Sequence, residues 1–330
     1  MQQRLFTATG RNVSEVGLGT WQLGGTEWGE VSDDQAVETL AAAADAGVTF
    51  LDTADIYGAG RSESLIGRFL NGRADRDGFF IATKLGRRSD PGWPDNFQRT
   101  SIRQHTEDSL CRLQVDTIDL TQLHCVPMKY LADGEVWGAL GELKRVGKIR
   151  AFGASVESMD EALECLKVDG LASLQIIFNV FRQKPIDELF TLAKAKGVSI
   201  IVRLPLASGL LSGNFNPQTK FATTDHRSFN CDGQKFNVGE TFAGLPLDEG
   251  LRLVEQLRAH VPAGWSMAEW ALRWCLDFPE VTTIIPGAKR PAQAKQNAAA
   301  ANRPPLAKET HQQMRDFYQH QIAQHIRGPY

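Results

Sequence analysis

Residues 49–67 read Thr49-Phe-Leu-Asp52-Thr-Ala-Asp-Ile-Tyr57-Gly-Ala-Gly-Arg-Ser62-Glu-Ser-Leu-Ile-Gly67 and combine a short apolar strand, a polar loop and the start of a helix. Asp52 is the first charged residue after the strand, and Tyr57 lies in the loop beyond it. Ser62 has the residue type of a helix N-cap, because the apolar residues after it have helical spacing. An acid and a phenol that follow a buried strand indicate chemistry at this point of the chain.

Apolar strands alternate with helices along most of the sequence. A hairpin is predicted over residues 4–16. Eight further strands are predicted at Val16–Trp21, Val48–Asp52, Phe79–Lys84, Thr117–His124, Ala151–Ser155, Ser173–Phe178, Ser199–Leu204 and Val281–Pro286. One helix is predicted to start at Ser62 and another at Ser158. Ser32 and Gln35 match a capping box that begins a helix ending at Gly47. Further helices are predicted from Ser101 to Leu113, Glu135 to Val146, Pro185 to Lys196, Asp248 to His260, Ser266 to Asp277 and Ala307 to Ala323.

This alternation predicts an α/β fold with a parallel sheet covered by helices. Eight repeats without a second composition regime favour a closed (β/α)8 TIM barrel, formed as one domain over residues 1–330. The N-terminal β-hairpin precedes the barrel, a long loop from Ala207 to about Leu247 follows strand seven, and extra helices end the chain. A loop of that length is usually functional.

The amino-acid composition restricts the classes of function that are expected for this protein. The 330 residues are 42% hydrophobic and 23% charged with net charge −3, which is typical of a soluble globular protein and disfavours nucleic acid as a partner. No apolar run approaches the ~18 residues of a membrane span, and the first residues lack a signal sequence, so we expect a cytoplasmic protein. The five cysteines are widely spaced and form no C-x-x-C pair, which disfavours disulfides and metal sites. The sequence does not indicate an oligomeric state.

Four polar residues follow or end three consecutive predicted strands. They are Asp52, Tyr57, Lys84 and His124. Taken singly, each has an ordinary structural interpretation as a helix cap, a packed aromatic, a surface cation or a core histidine. Because the active sites of (β/α)8 barrels lie at the carboxyl ends of the strands, the four together indicate a catalytic site.

These side chains form a coherent acid–base set. A tyrosine hydroxyl has an ordinary pKa of ~10, and we expect the ammonium of Lys84 to lower the pKa of Tyr57. Asp52 would keep Lys84 protonated and oriented, and His124 would donate a hydrogen bond to a carbonyl oxygen. None of these groups delivers hydride, so a redox cofactor is required.

Two loops are candidates for binding the phosphates of such a cofactor. The glycine-rich nucleotide fingerprint of an open sheet is absent, because the third glycine of that fingerprint is missing from Gly17-Leu-Gly19-Thr-Trp-Gln22. In barrels a phosphate site often forms after strands seven and eight, where Ala207–Gly213 and Pro286–Asn297 lie. The second segment places Gly287 beside Lys289 and Arg290, just before a helix N-terminus that suits an anion.

The segment Leu51-Asp52-Thr53-Ala54-x-x-Tyr57-Gly58 resembles the signature of the aldo-keto reductases. The resemblance extends from about Val16 to Asn302 and implies that Asp52, Tyr57, Lys84 and His124 are that family's catalytic tetrad. It also implies NADPH or NADP+ as cofactor. The implied contacts of the cofactor are Gly19, Thr20, Trp21, Asp52, Ser155, Gln175, Arg203, Leu204, Pro205, Leu206, Ser208, Gly209, Leu211, Gly213, Gly287, Lys289, Gln293, Gln296 and Asn297.

Substrate contacts are predicted at Trp21, Tyr57, Trp93 and His124. Loop aromatics and Met128 predict an apolar pocket mouth formed by Trp21, Trp28, Trp93, Phe97, Met128 and Tyr130. The chain departs from the family pattern at Val156, where an asparagine is common, so that one contact to the nicotinamide carboxamide is either lost or supplied by Gln175 and Asn179. It also departs at Arg203, which replaces an aromatic that often stacks on the nicotinamide. We expect the charge of Arg203 to favour neutral NADPH over NADP+.

Three functions fit these residues. The first is an NADPH-dependent oxidoreductase that reduces a small-molecule aldehyde or ketone to an alcohol, with Tyr57 as general acid. The second is an NADPH-binding regulatory subunit with slow turnover, resembling the β subunits of potassium channels. The third is a Schiff-base lyase that uses Lys84 as nucleophile in the same barrel.

Overall fold

A computed structural model describes residues 1–330. The strands are β1 Gln3–Phe6, β2 Arg11–Ser14, β3 Leu18–Gly19, β4 Phe50–Asp52, β5 Phe80–Leu85, β6 Ile118–His124, β7 Ile149–Ser155, β8 Ser173–Ile177, β9 Ser199–Arg203 and β10 Val281–Ile284. The helices are α1 Trp21–Gly24, α2 Asp33–Asp45, α3 Arg61–Leu70, α4 Arg99–Leu113, α5 Met128–Asp133, α6 Glu135–Arg145, α7 Met159–Cys165, α8 Lys184–Glu188, α9 Phe190–Ala195, α10 His226–Phe229, α11 Leu247–Leu257, α12 Met267–Leu276, α13 Pro291–Ala299 and α14 Lys308–Phe317.

The eight strands β3 to β10 form one parallel sheet in chain order. The sheet closes on itself because Gly17 N donates to Ile284 O at 2.8 Å and Gly19 N donates to Pro286 O at 3.2 Å. Helices lie between the strands in sequence and cover the sheet. The predicted (β/α)8 barrel is therefore confirmed.

The predicted N-terminal hairpin is also confirmed, and it lies at the amino end of the barrel. β1 and β2 pair antiparallel, with Gln3 opposite Ser14. Phe6 packs against Phe80 with ring centroids 4.7 Å apart, and Phe80 stacks on Phe50 at 5.2 Å. These rings belong to an apolar cluster drawn from several barrel strands. The hairpin leaves the carboxyl end of the barrel free for chemistry.

One predicted helix cap is wrong, and one predicted capping box is only half formed. Gly60 adopts a left-handed backbone (φ 93°) that starts α3 at Arg61, so Ser62 lies inside the helix. The Ser62 hydroxyl instead accepts a hydrogen bond from Thr53 Oγ1 at 2.9 Å. At α2, Ser32 does cap Gln35 N, but the Gln35 side chain donates to Lys289 O at 2.6 Å and does not complete the capping box.

Several predicted boundaries also differ from the structure. The helix predicted from Pro185 to Lys196 is two helices, because Leu189 leaves helical angles (φ −121°, ψ −47°). α4 begins at Arg99, before the predicted Ser101, since Ile102 N already donates to Gln98 O. The strand predicted as Val16–Trp21 is reduced to Leu18–Gly19, and Trp21 opens α1.

The long segment between β9 and α11 lies at the carboxyl end of the barrel. It begins with non-glycine residues in left-handed conformations at Leu204, Ala207 and Ser208 (φ 52°, 47° and 55°). It continues through α10 and contacts the loop after β3, where His226 N donates to Glu27 O at 2.9 Å. The segment therefore covers the end of the barrel where the candidate residues lie. None of the helices is long and apolar enough to cross a membrane.

Candidate active site

A buried ion pair lies at the carboxyl ends of β4 and β5. Lys84 Nζ donates to Asp52 Oδ1 at 2.6 Å and to Thr53 O at 2.8 Å, and it lies 3.4 Å from Tyr57 Oη. Asp52 and Lys84 are 2% and 1% exposed, so neither charge is solvated by bulk water. Burial raises the pKa of Asp52 and lowers the pKa of Lys84, and the attraction between the two opposes both shifts. The pair fixes the Lys84 ammonium beside the Tyr57 hydroxyl.

The pKa of Tyr57 shifts in the opposite direction from the sequence-based expectation. Burial raises the pKa of Tyr57 well above its ordinary value, and the negative charges of Asp52 and Glu240 add to this shift. The Asp52 carboxylate beside Lys84 opposes the effect of the ammonium on the phenol, so burial decides the direction of the shift. Tyr57 therefore holds its proton at neutral pH and is able to donate it, rather than being a phenolate.

His124 completes this group of polar side chains. Its ring meets the Tyr57 ring edge to face, with centroids 5.7 Å apart. Burial lowers the pKa of His124 well below its ordinary value, and the positive charges of Arg87, Lys84 and Arg203 lower it further. The imidazole is therefore neutral and able to donate one hydrogen bond. Its Nδ1 is buried without a hydrogen-bond partner.

A cavity of about 320 Å³ runs from Tyr57 and His124 to the N-terminal end of α13. It brings together most of the residues predicted to contact the cofactor. Those that line it are Gly19, Trp21, Asp52, Ser155, Gln175, Arg203, Leu204, Pro205, Leu206, Ser208, Gly209, Gly287, Lys289, Gln293, Gln296 and Asn297.

Lys84 does not line this cavity, and four of the predicted cofactor and substrate contacts do not line it either. Thr20 is buried beneath it, where its hydroxyl donates to Asp52 O at 2.8 Å. Leu211 is fully buried in the core, and Gly213 ends the short helix that contains Leu211. Trp93 is 51% exposed and is held by a hydrogen bond from Nε1 to Gly86 O, so it does not reach Tyr57.

The predicted aromatic pocket mouth divides into two groups. Trp21 and Trp28 line the cavity and pack edge to face, with ring centroids 5.5 Å apart. Phe97 instead packs against Tyr130 at 4.1 Å and Trp93 at 5.8 Å, away from the cavity. Met128 is 37% exposed and also lies outside the lining. Of the predicted mouth, only the two tryptophans after β3 therefore shape the site.

Ser155 and Gln175 lie side by side at the ends of β7 and β8. Ser155 Oγ lies 3.4 Å from Gln175 Oε1, and Gln175 Nε2 donates to Asp52 Oδ2 at 2.7 Å. Asn179 was expected to compensate for Val156, but its side chain donates to Leu204 O at 2.9 Å and does not line the cavity. Ser155 and Gln175 are therefore the side chains that can form polar contacts at this end of the cavity.

Arg203 lines the cavity as one half of a second buried ion pair. Its Nη1 lies 3.0 Å from Glu240 Oε1, and its Nη2 donates to Val156 O at 3.1 Å. Burial lowers the pKa of Arg203, but Glu240 raises it overall. Glu240 was missed in the sequence because it lies in the long irregular segment. The Glu240 carboxylate offsets the charge of Arg203. This charge alone therefore favours NADPH over NADP+ less than the sequence led us to expect.

Cys125, Glu157 and Glu240 place one potential ligand atom each within 4.8 Å of one another. Burial raises the pKa of the Cys125 thiol to about 12, so this thiol is protonated at neutral pH. Glu240 is already paired with Arg203. We interpret the group as part of the ion-pair cluster of Arg203 and Glu240 at the cavity wall.

The long segment also contributes walls that the sequence pattern did not indicate. Phe215 and Arg227 line the cavity, together with Gln22 from the loop after β3. Arg227 forms two hydrogen bonds to Asp225, at 2.9 and 2.6 Å, and its guanidinium lies 4.5 Å from the Phe221 ring centroid. The one signal available in the sequence was the unusual length of this segment.

His226 joins the long segment to the aromatic wall. Its ring lies 4.3 Å from Trp28 and 5.0 Å from Trp21, and Nδ1 lies 3.3 Å from Glu27 O. Burial lowers the pKa of His226 to about 4. The imidazole is thus held neutral between two tryptophans.

This burial predicts an acid-dependent loss of stability. The unfolded chain protonates His226 near its ordinary pKa of 6.5, but the folded protein does so only near 4. The contribution of His226 is therefore fully present above pH 6.5 and is lost as the pH falls toward 4, by at most about 3 kcal/mol. His226→Phe should flatten the free energy of unfolding in this window, measured by urea denaturation at several pH values. His320→Gln, at an exposed histidine, is the control. A His226→Phe curve as steep as that of the wild type would contradict this assignment.

The segment after β10 forms the far end of the cavity. Lys289 Nζ donates to Trp28 O at 3.0 Å, and Asn297 Nδ2 donates to Gly287 O at 3.2 Å. Lys289 N also donates to Gln293 Oε1 at 3.1 Å. This network holds the Lys289 ammonium at the cavity wall, while Arg290 is exposed.

Comparisons with known proteins agree with this geometry. Residues 15–319 match the model of the Aldo/keto reductase family. Aldo-keto reductase YhdN of Bacillus subtilis is 33% identical over 89% of this chain and 86% of its own length. NADH-specific methylglyoxal reductase of Escherichia coli is 28% identical over 88% and 90%. The holo form of aldo-keto reductase AKR11C1 from Bacillus halodurans superposes with a TM-score of 0.78 at 30% identity, covering 96% of both chains. A barrel with these polar groups at its carboxyl end, matched over almost its whole length, belongs to the aldo/keto reductase family.

Proposed function

We propose that this protein is an NADPH-dependent oxidoreductase that reduces an aldehyde or ketone to an alcohol, with Tyr57 as the general acid. The family membership supports carbonyl reduction in general. The observation that carries the finer proposal is the buried Asp52–Lys84 pair, which places an ammonium 3.4 Å from the hydroxyl of a protonated tyrosine.

The backbone and the side chains that line the cavity support a dinucleotide as its ligand. Two glycines of the lining leave room for neighbouring side chains, since a Cβ at Gly209 would lie 2.8 Å from the Phe215 ring and one at Gly287 would lie 2.0 Å from the Gln22 amide. The left-handed run at Ala207, Ser208 and Gly209 (φ 47°, 55° and 99°) is the type of backbone that forms concave anion sites. Ser155 and Gln175 would hold the nicotinamide end near Tyr57, and Lys289 would meet the adenosine end.

The bound nicotinamide supplies the hydride that no side chain of this chain can deliver. Tyr57 and His124 would both donate hydrogen bonds to the substrate oxygen, which stabilises negative charge as it develops there. Tyr57 then transfers its proton to this oxygen, and the nearby Lys84 ammonium stabilises the resulting phenolate. Asp52 keeps Lys84 charged and in place throughout.

Steady-state oxidation of NADPH and of NADH with a panel of aldehydes and ketones tests this proposal. We expect turnover of at least one carbonyl class that requires Tyr57. Tight NADPH binding without turnover of any carbonyl would overturn it in favour of a regulatory subunit. Trapping of a substrate on Lys84 by borohydride would favour a Schiff-base lyase. No feature of the site favours the lyase, because Lys84 is held in an ion pair rather than free as an amine.

The choice of cofactor gives a second test. The 2′-phosphate of NADPH carries nearly two negative charges, and a charge-assisted contact with Lys289 predicts a preference of about tenfold to hundredfold over NADH. Lys289→Ala should weaken NADPH binding by that factor and leave NADH binding nearly unchanged, measured by fluorescence titration. The difference should shrink at high salt.

Lys295→Ala is the matched control for Lys289→Ala, because Lys295 is exposed on α13 and does not line the cavity. Lys289 also donates to Trp28 O. Equal losses for both cofactors would therefore mean that Lys289 supports the loop and does not contact the phosphate. The relative named as NADH-specific makes NADH the relevant competitor.

A further inference from the structure

A second cavity of about 220 Å³ adjoins the first at Tyr57 and His124. The two cavities share these residues with Trp21 and Glu240, so the second cavity opens directly onto the proposed reacting groups. Its further walls are largely apolar, with Ile56, Phe229 and Phe236 among them. A substrate whose carbonyl meets Tyr57 would extend into this space.

Arg87 is the one cation that lines the second cavity. Its guanidinium forms no ion pair and no side-chain hydrogen bond, although the side chain is half-buried. The adjacent Arg88, by contrast, is paired with Asp55 at 3.1 Å and Asp108 at 2.7 Å. A guanidinium has five donors and stays charged, so a half-buried one without a partner is poised for an anionic ligand.

The carboxylates around the second cavity do not satisfy Arg87. Glu240 is paired with Arg203 at 3.0 Å. The Glu27 side chain is directed back toward its own loop. Its Oε2 is so close to Gly25 that a Cβ built on that glycine would lie 2.0 Å from it. Burial lowers the pKa of Arg87, but Cys125, Glu240 and Glu157 raise it overall. Arg87 in turn contributes to the lowered pKa of His124, which indicates that its charge is close to the proposed reacting group.

We infer that Arg87 selects carbonyl substrates that carry a carboxylate, which it binds while Tyr57 and His124 hold the carbonyl oxygen. This inference rests on the proposed function. The planar guanidinium suits a carboxylate because it forms two parallel hydrogen bonds. The apolar side chains that line the second cavity with Arg87 and Tyr57 suit a hydrocarbon spacer. Arg87 is in this sense a residue that determines substrate specificity, and it takes no part in proton transfer.

The test compares ω-oxo carboxylates of increasing chain length with the unsubstituted aldehydes of the same lengths. In the wild type, kcat/KM should favour the carboxylate at one spacer length. Arg87→Gln should lower kcat/KM for that carboxylate by about tenfold to hundredfold, mainly through KM, and change the matched neutral aldehyde by less than about threefold. Arg87→Lys keeps the charge but loses the planar pair of donors, so its kcat/KM for the carboxylate should lie between the values of the wild type and of Arg87→Gln. Raised ionic strength should increase KM for the carboxylate alone.

Arg103→Gln is the matched control, because Arg103 is exposed on α4 and has no ionic partner. It removes the same charge without touching the second cavity. A binding readout is independent of turnover: the saturated monocarboxylate of matching length should bind about tenfold to hundredfold more weakly to Arg87→Gln than to the wild type.

The outcomes separate this inference from the proposed function. Equal effects of Arg87→Gln on charged and neutral aldehydes, or a wild-type preference for the neutral series, would overturn the role of Arg87. Carboxylate binding that depends on Arg87, in a protein that reduces no carbonyl, would support the role of Arg87 and overturn the proposed reductase activity.

Discussion

Tyr57→Phe is expected to lower kcat for carbonyl reduction by about a hundredfold to ten-thousandfold, the range of a lost general acid. The phenyl ring keeps the packing against Trp21, whose ring centroid lies 5.9 Å from that of Tyr57, and removes only the hydroxyl. Cofactor binding should therefore be nearly unchanged. The measurement is the single-turnover rate with saturating cofactor, together with the dissociation constant for NADPH.

A matched control for this variant is Tyr130→Phe. Tyr130 also packs against a ring, that of Phe97 at 4.1 Å, but it lies outside both cavities. Its loss of a hydroxyl should leave kcat unaltered. Retention of most of the wild-type rate by Tyr57→Phe would show that another group protonates the substrate oxygen.

Lys84→Met is expected to cost roughly 3–5 kcal/mol of stability, because it leaves the buried Asp52 carboxylate without its ion-pair partner. Gln175 Nε2 remains as a donor to Asp52 Oδ2, but an amide does not replace a full charge. The double variant Lys84→Met with Asp52→Asn should recover much of this loss. A double-mutant cycle of unfolding free energies, measured by urea denaturation, isolates the coupling of the pair.

Lys167→Met provides the surface comparison for this cycle. Lys167 pairs with Glu164 at 2.5 Å, but its side chain is 70% exposed, so its loss should change stability by about 0–1 kcal/mol. A similarly small effect of Lys84→Met would contradict a fully charged Asp52–Lys84 pair in the folded protein. The single variant should also reduce activity, because it removes the ammonium that we propose stabilises the Tyr57 phenolate.

The number and order of the barrel strands followed from local pattern. A buried parallel strand is almost continuously apolar, so a charge or a polar ring at its end is conspicuous. This is why Asp52, Lys84 and His124 were recognisable without a structure. Helix starts were less predictable, because a serine such as Ser62 satisfies its hydroxyl equally well inside a helix when tertiary neighbours such as Thr53 supply the partner.

The electrostatics of the site, in contrast, required the tertiary structure. The sequence alone suggested that Lys84 lowers the pKa of Tyr57, but the Asp52 carboxylate 2.6 Å from Lys84 opposes this effect of the ammonium, and burial reverses the shift. Likewise, Arg203 was expected to act as a free charge and is paired with Glu240. The partners in such pairs lie far apart in sequence, and no local pattern encodes their distance.

The sequence by itself therefore determined the barrel, the family and the end of the barrel where the candidate residues lie, because strand periodicity and residue type at strand ends are local properties. Only the tertiary structure decided which charges are paired and which are not. Arg87 and Arg88 are neighbours of the same residue type, yet Arg88 meets two carboxylates and Arg87 meets none. That difference depends on which side chains the loops bring within a few ångströms, and pairing in a buried environment decides what each charge can do.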